Sequence, residues 1–255
     1  MIRLVRSELF KLRTTWSPWV LIGVTVLLTG LGIVGAFVVS GPNGQTVFTA
    51  PRSTYHLRLL LGAGRSAVWM SAILGMLCVT GEYRHKVITT SLLAVPDRAR
   101  LLVAKSIASV FWGVVLGLVT FVVVAAVGIP LLVAEGGTVG ALTGQIGAVV
   151  PGLLAWYAII ALFGVGFGTL VRNQVAGIVA ILGTAFILEP ILDGLLPWLG
   201  KWLPTAAGGA LAGGLGGRND RAYLLAWWLG AIVLAAWGIV PTVVGYFTTF
   251  TRDVT

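Results

Sequence analysis

Residues 106–134 read SIASVFWGVVLGLVTFVVVAAVGIPLLVA, 29 consecutive positions without one charged side chain. About 20 predominantly apolar residues in a helix cross the hydrocarbon core of a bilayer, so this stretch is long enough to span it. A helix that is apolar on every face suits a lipid environment, where each backbone N–H and C=O is satisfied inside the helix itself. Whether the rest of the chain repeats the pattern decides the fold.

Working outward, five further stretches qualify, at residues 18–39, 64–81, 145–171, 174–188 and 222–250. The second is short as written, with room to begin near Tyr55 and carry Arg58 and Arg65 inward; the fifth has room to continue past Pro190. Composition agrees, with 58% apolar and 10% charged residues and a mean hydropathy of +1.00. A soluble domain carries about 25% charge. The expected fold class is an all-α integral membrane protein, a single transmembrane domain of six helices over residues 1–255. Too little chain remains for a soluble domain.

The formal charge of +9 is placed between the apolar runs, which reads as a topology signal and not as a nucleic-acid surface. Short basic loops stay on the cytoplasmic side. With the N-terminus inside, Arg3, Arg6, Lys11, Arg13, Arg84, Lys86, Arg98, Arg100, Lys105, Arg172 and Arg252 are cytoplasmic. Arg52, Arg58, Arg65, Lys201, Arg218 and Arg221 are external, a split of 11 to 6 that puts both termini in the cytoplasm. The first apolar run is too long for a signal peptide and is read as a retained anchor.

Before that run, Ile2, Val5, Leu9 and Leu12 share one helical face with Arg3, Arg6 and Arg13 beside it, as in an amphipathic helix lying in the headgroup layer. A disordered basic tail is the plainer alternative. Trp16 and Trp19 mark the interface. The charge-dense stretch GEYRHKVITTSLLAVPDRARLLVAK, residues 81–105, mixes ionic side chains with Ile88, Leu92 and Leu93. Their spacing allows a short amphipathic helix broken at Pro96, suited either to a groove in a partner protein or to the bilayer surface. Between the last two spans, Pro197, Trp198, Trp202 and Pro204 suit a segment that dips back into the membrane. The glycine-rich TAAGGALAGGLGGRND that follows has little to hold it in place.

Few residues carry chemistry. Gly30, Gly32 and Gly35 spell GxGxxG, but inside an apolar span and not between a strand and a helix, so the match is accidental. No GxxxxGK[ST] occurs, so any ATP-driven work comes from another subunit. Cys78 is alone, which excludes an intrachain disulfide and a cysteine metal cluster. His56 and His85 fall on opposite sides, so no metal site uses both. Gly113 with Gly117, and Gly164 with Gly168, have the small-xxx-small spacing of closely packed membrane helices. Glu189 and Asp193 flank Pro190; a carboxylate at membrane depth faces a cavity or a cationic partner, which makes the pair a candidate gate, with Arg58 and Arg65 as partners seven residues apart on one face. Alternatively, Pro190 ends the helix and leaves both carboxylates in the wet headgroup zone. No catalytic residue, bound cofactor or metal ligand set is indicated.

Two stretches, RSELFKLRTT with Glu8, Lys11 and Arg13, and the 81–105 loop, resemble the membrane subunits of type-2 ATP-binding-cassette exporters, especially small six-span permeases of high-GC Gram-positive bacteria. The resemblance covers almost the whole chain. It implies that the first stretch is an in-plane connecting helix, and that the loop docks on a nucleotide-binding subunit through Glu82, Tyr83, Arg84, His85, Ile88, Pro96 and Arg98. Lys86 and Val87 stand where relatives usually have Gly-Thr. It further implies a short re-entrant element between the fifth and sixth spans, ATP and magnesium held by the partner ATPase, and a second permease copy or a related permease. The expected function is ATP-driven export of a lipid, hydrophobic drug or peptide across a bacterial plasma membrane. A non-transporting anchor, regulator or immunity module is the alternative from another class, and a secondary transporter ranks below both, since no internal repeat is evident.

Overall fold

The computed structural model describes residues 1–38, 54–84, 97–135, 139–171, 173–213 and 225–250, and no strand forms among them. Helix α1 (Ile2–Thr14) ends where Thr15 turns extended, and α2 (Trp16–Val38) starts at once in a new direction. Pro18 lies in the first turn of α2, where its missing N–H has no intrahelical acceptor to lose. The chain continues through α3 (Thr54–Leu61), α4 (Trp69–Arg84), α5 (Arg98–Ala134), α6 (Val139–Val171) and α7 (Gln174–Leu195). Two short helices, α8 (Pro197–Gly200) and α9 (Pro204–Leu211), precede α10 (Trp227–Gly245), which runs on as a wider turn over Tyr246–Phe250.

Five of these are long and apolar enough to cross a membrane: α2, α5, α7 and α10, and α6 over Val149–Val171. Their outer faces carry Leu27, Val34, Val179, Ile187, Ile232 and Val240 exposed, an apolar surface suited to lipid. The chain is a multi-pass, all-α membrane protein. The expected second span, residues 64–81, is different. It is not one continuous helix but α3, a run of turns over residues 62–68, and the 16-residue α4. At 1.5 Å per residue α4 is about 24 Å long, short of the roughly 30 Å hydrocarbon core. Unlike the other five it is enclosed by protein, with Trp69 to Met76 buried without a break. The turns before it are inside as well, and their backbone is paired locally, Ala63 N to Leu60 O at 3.1 Å and Arg65 N to Gly62 O at 3.0 Å. Non-helical backbone at this depth is tolerated where protein shields it. Because α3 ends at Leu61, Arg58 and Arg65 do not share a helical face, contrary to the seven-residue expectation.

Other boundaries also move. Helix α5 begins at Arg98, not 106, because the Asp97 carboxylate caps it, accepting from Arg100 N at 3.1 Å. Lys105 is therefore inside a helix and not in a loop. Helix α7 begins at Gln174 under an Asn173 cap and does not stop at 188 but passes through Pro190 to Leu195. Proline removes one N–H and its ring clashes with the carbonyl four residues back. The helix answers with a wider π turn at Thr184–Leu188, where Glu189 N–H bonds the Thr184 carbonyl. Pro130 in α5 is preceded by the same device at Val124–Gly128.

At the centre, α6 packs along α4, α5 and α10. Gly164 and Gly168 lie against Ala72 and Met76 of α4, and Gly113 and Gly117 of α5 lie against Tyr157 of α6. A Cβ on Gly164 would collide with the Ala72 carbonyl oxygen, and one on Gly75 with that of Ala161, so α4 and α6 meet backbone to backbone from both sides. The buried Tyr157 hydroxyl donates to Gly64 O at 2.9 Å and bonds Thr120 at 2.7 Å, joining α6, α5 and the turns before α4. Phe163 of α6 meets Trp69 and Trp237 edge-on, both with ring centroids 6.1 Å away.

Replacing Gly164 by Leu forces this crossing apart and is expected to cost at least the roughly 1–3 kcal/mol of core overpacking. Gly183→Ala, on α7 with no atom near its would-be Cβ, is expected to stabilise by up to about 1 kcal/mol. Thermal unfolding in detergent checks both, and similar midpoints for the two variants would contradict the packing described.

Candidate functional site

Among the described residues, ionisable side chains gather in two buried clusters, one toward each end. The first lies where α1, the last turn of α4 and the early part of α5 meet. Lys105 is 1% exposed, and its ammonium touches Glu8 Oε2 at 2.9 Å and Glu82 Oε1 at 2.7 Å. It also donates to the Cys78 carbonyl at 3.3 Å. Lys11 joins the same carboxylates from the solvent side, 2.7 Å from Glu8 Oε1 and 3.1 Å from Glu82 Oε1. Two cations and two anions thus form one neutral network. Burial pushes the Glu8 carboxyl up, but Lys105 and Lys11 outweigh it and hold the group below its ordinary value. Burial likewise pushes Lys11 down, while its bond to Glu8 and the charge of Glu82 hold it above. Both therefore stay ionised at neutral pH.

Beside the network, Val79, Leu101, Leu102 and Val165 form a small apolar cluster, with Leu4, Tyr83 and Tyr246 packed on it. Salt links and apolar contacts together connect α1, α4, α5, α6 and the end of α10.

The second cluster is toward the opposite end, about 22 Å along α7 from Gln174 at 1.5 Å per residue. Glu189, 5% exposed, accepts from Thr205 N at 3.3 Å and from the Thr205 hydroxyl. Trp69 Nε1 donates to the same hydroxyl at 3.3 Å. The Arg65 guanidinium attracts both Glu189 and Asp193. Thr205 stands in the first turn of α9, so Glu189 meets the positive end of that short helix. Sixteen residues after Glu189 the chain has thus doubled back to it. The glycine-rich residues of α9, expected to be loosely held, instead pack on α6 and α10, and Gly208 lies directly on the Trp156 indole with no room for a side chain. Gly213, with φ +76, ends the segment in a left-handed conformation. Residues 214–224 are outside the described residues.

Of the loop residues expected to face an ATPase, Glu82 faces inward into the ion network, where Lys105 and Lys11 compensate its charge. Tyr83 is half-buried on the apolar cluster. Arg84 is exposed and donates to Gln174 Oε1 at 3.2 Å, linking α4 to the start of α7. Arg98 opens α5. His85, Ile88 and Pro96 lie outside the described residues. Of the gate residues, Glu189, Asp193 and Arg65 come together, and Arg58 sits in α3, one turn before its end. Pro190 does not end the helix, contrary to the plainer alternative, and Glu189 is enclosed by protein.

Reading the sequence missed the network as a unit. Glu8 and Lys11 stand three apart on one helix, a visible pair; Lys105 within LLVAKSIAS, a lone cation between apolar runs, was the other signal. Thr205 and Trp69 gave none. No group of three or more His, Cys, Asp or Glu able to hold a metal gathers among the described residues. Comparison with the profiles of known families, and with curated proteins, finds no match to this chain.

Lys105→Met takes the buried cation away from both carboxylates and is expected to cost about 3–5 kcal/mol, the range for removing one partner of a buried pair. Adding Glu8→Gln restores neutrality, so the double variant should unfold at a higher temperature than Lys105→Met. A double variant that loses the sum of both single effects would show that the charges act independently. At the other end, Thr205→Val leaves Glu189 and the Trp69 indole each short of a partner, at about 1–3 kcal/mol. Faster hydrogen exchange confined to α9 and its surroundings is the expected signature.

Proposed function

We propose that this chain is the permease subunit of an ATP-driven transporter, exporting an apolar or amphipathic substrate, with ATP hydrolysed by a separate cytoplasmic ATPase. In this reading α4 completes a sixth crossing inside a sheath of the five longer helices. Helices α8 and α9 form the re-entrant element, and α1 lies in the plane of a bacterial plasma membrane with both termini in the cytoplasm. The stretch from Glu82 to Lys105 that joins α4 to α5 docks on the ATPase, and a second permease copy completes the transport path.

The observation that carries this reading is the buried ion network. The described residues on either side of positions 85–96 belong to α4 and to the start of α5, and Glu82 and Lys105 tie those helices to each other and, through Glu8, to α1. A push on the loop therefore meets a joined block and displaces it as a body, the way packed helices transmit movement. A loop that merely connected two spans would need no buried charges at its roots, since each costs several kcal/mol, by order of magnitude, to desolvate.

Affinity purification of the tagged chain from cells that produce it should bring down an ATPase with a phosphate-binding loop, and vesicles holding the pair should move substrate only with ATP. Arg84→Glu reverses the exposed charge at the edge of the loop. It should reduce ATPase recovery severalfold while membrane insertion and thermal stability stay close to wild type, as for an exposed position. No ATPase in the purified material, or binding of a solute without flux, would replace the transporter with the anchoring or immunity module.

A further inference from the structure

Helix α1 is held by one face only. At 3.6 residues per turn, Glu8 and Leu12 point to the bundle with Leu4 and Val5 beside them, and both Glu8 and Leu12 are buried. Its one acidic residue is thus spent on the interior. The opposite face holds Arg3, Arg6 and Arg13 within about 80° of arc, all exposed, and among them stand Ile2 at 85% exposure and Phe10 at 66%. No carboxylate among the described bonds reaches these arginines.

We propose that this outer face of α1 is a binding surface for anionic phospholipid headgroups. Three fixed guanidinium groups on one arc match phosphate oxygens in charge and in hydrogen-bonding geometry. An acidic protein surface would satisfy the charge as well, but not the company the arginines keep. Ile2 and Phe10 project between them, and only Thr15 separates α1 from the apolar α2, whose first residue Trp16 is 83% exposed. Trp19 Nε1 donates back to the Arg13 carbonyl at 3.2 Å, which fixes the end of α1 at the depth where that tryptophan pair begins. Apolar side chains, indoles and arginines at one level are what a headgroup layer accommodates. The surface does not depend on the transport reading, since it requires only that α2 enter a bilayer.

The full-length protein in a neutral detergent, titrated with phosphatidylglycerol or with phosphatidylcholine of the same chains, tests this by native mass spectrometry of retained lipid. Phosphatidylglycerol should be held preferentially, and less so as salt rises. Arg3→Gln, Arg6→Gln and Arg13→Gln should each weaken it about fivefold, the effect of one basic residue near an anionic surface. The three together should abolish the preference, and the three changed to Lys should keep most of it. Lys201→Gln, at the other end over the Trp202 ring, should change nothing. The unfolding temperature without added lipid should be the same throughout, because these side chains are exposed. Equal retention of the two lipids by the wild type overturns the proposal, as does a triple glutamine variant that still prefers phosphatidylglycerol. Arginine-dependent capture of an oligoglutamate peptide with no lipid preference overturns it in favour of an acidic protein partner.

Discussion

Everything at the α1 end depends on the Lys105 ammonium having two carboxylates to meet. A lysine that is 1% exposed has given up nearly all of its hydration, and only close opposite charges compensate for that loss. Glu8 and Glu82 supply them at 2.9 and 2.7 Å, and Lys11 balances the second negative charge. The arrangement cannot be dismantled in part without stranding a charge. It therefore acts as a constraint more than as a source of net stability: α1, α4 and α5 either meet in this geometry or the ions must return to water. Hydrophobic contact alone imposes no such choice, because apolar helices in lipid slide past one another at little cost.

The opposite end repeats the logic with other groups. Helix α9, like α1, does not span, and like α1 it is fastened through a carboxylate. Glu8 reaches from the non-spanning helix to a lysine on a spanning one, whereas Glu189 reaches from the spanning helix to the first turn of the non-spanning one. In both cases a buried carboxyl group sits where a short helix joins the bundle, and between these joints the bundle is held by close packing of glycine and aromatic surfaces around α6.

Sequence reading was most successful where a helix faces lipid. Helices α2, α5, α7 and α10 bear long uncharged runs that hydropathy detects because most of their surface lies outside the bundle, and α6, mostly buried, is detected because its protein surroundings are as apolar. Helix α4 escapes that logic. Its surroundings are other helices, so it needs neither full span length nor uniform apolarity, and the glycines at 62 and 64 that break it looked like ordinary span residues. The wider turns before Pro130 and Pro190 follow from the chemistry of proline, yet whether a helix stops or bulges at such a residue depends on what packs against it. The glycines of α9 looked like a linker because composition cannot show that the Trp156 ring waits to cover one of them. Lys105 was mistaken for a loop cation for a similar reason: its partners stand 97 and 23 positions away in sequence, and no local pattern joins them.

How such a protein would move follows from where it cannot. The crossing of α4 and α6 brings backbone against backbone on both sides, with glycines where a side chain would intrude, so these two helices have no slack to shear along each other. The ion network adds α1 and α5 to that block, and Tyr157 fastens α5 again, through Thr120, nearer the far end. Gly177 of α7 lies against Met76 of α4, and beyond that contact α7 meets the block at its two ends, Gln174 with Arg84 at one and Glu189 with Arg65 at the other. Both are hydrogen-bonded or electrostatic contacts that can be exchanged for others, unlike a carbonyl wedged against a glycine. Helix α9 stays with the block, since Gly208 lies on the Trp156 indole and Gly152 of α6 lies against the Leu211 carbonyl, so any displacement of α7 has to exchange the Glu189–Thr205 bond together with the contacts to Arg84 and Arg65. The π turn at Thr184–Leu188 lies between the two ends, where its wider register takes in Pro190 without ending the helix.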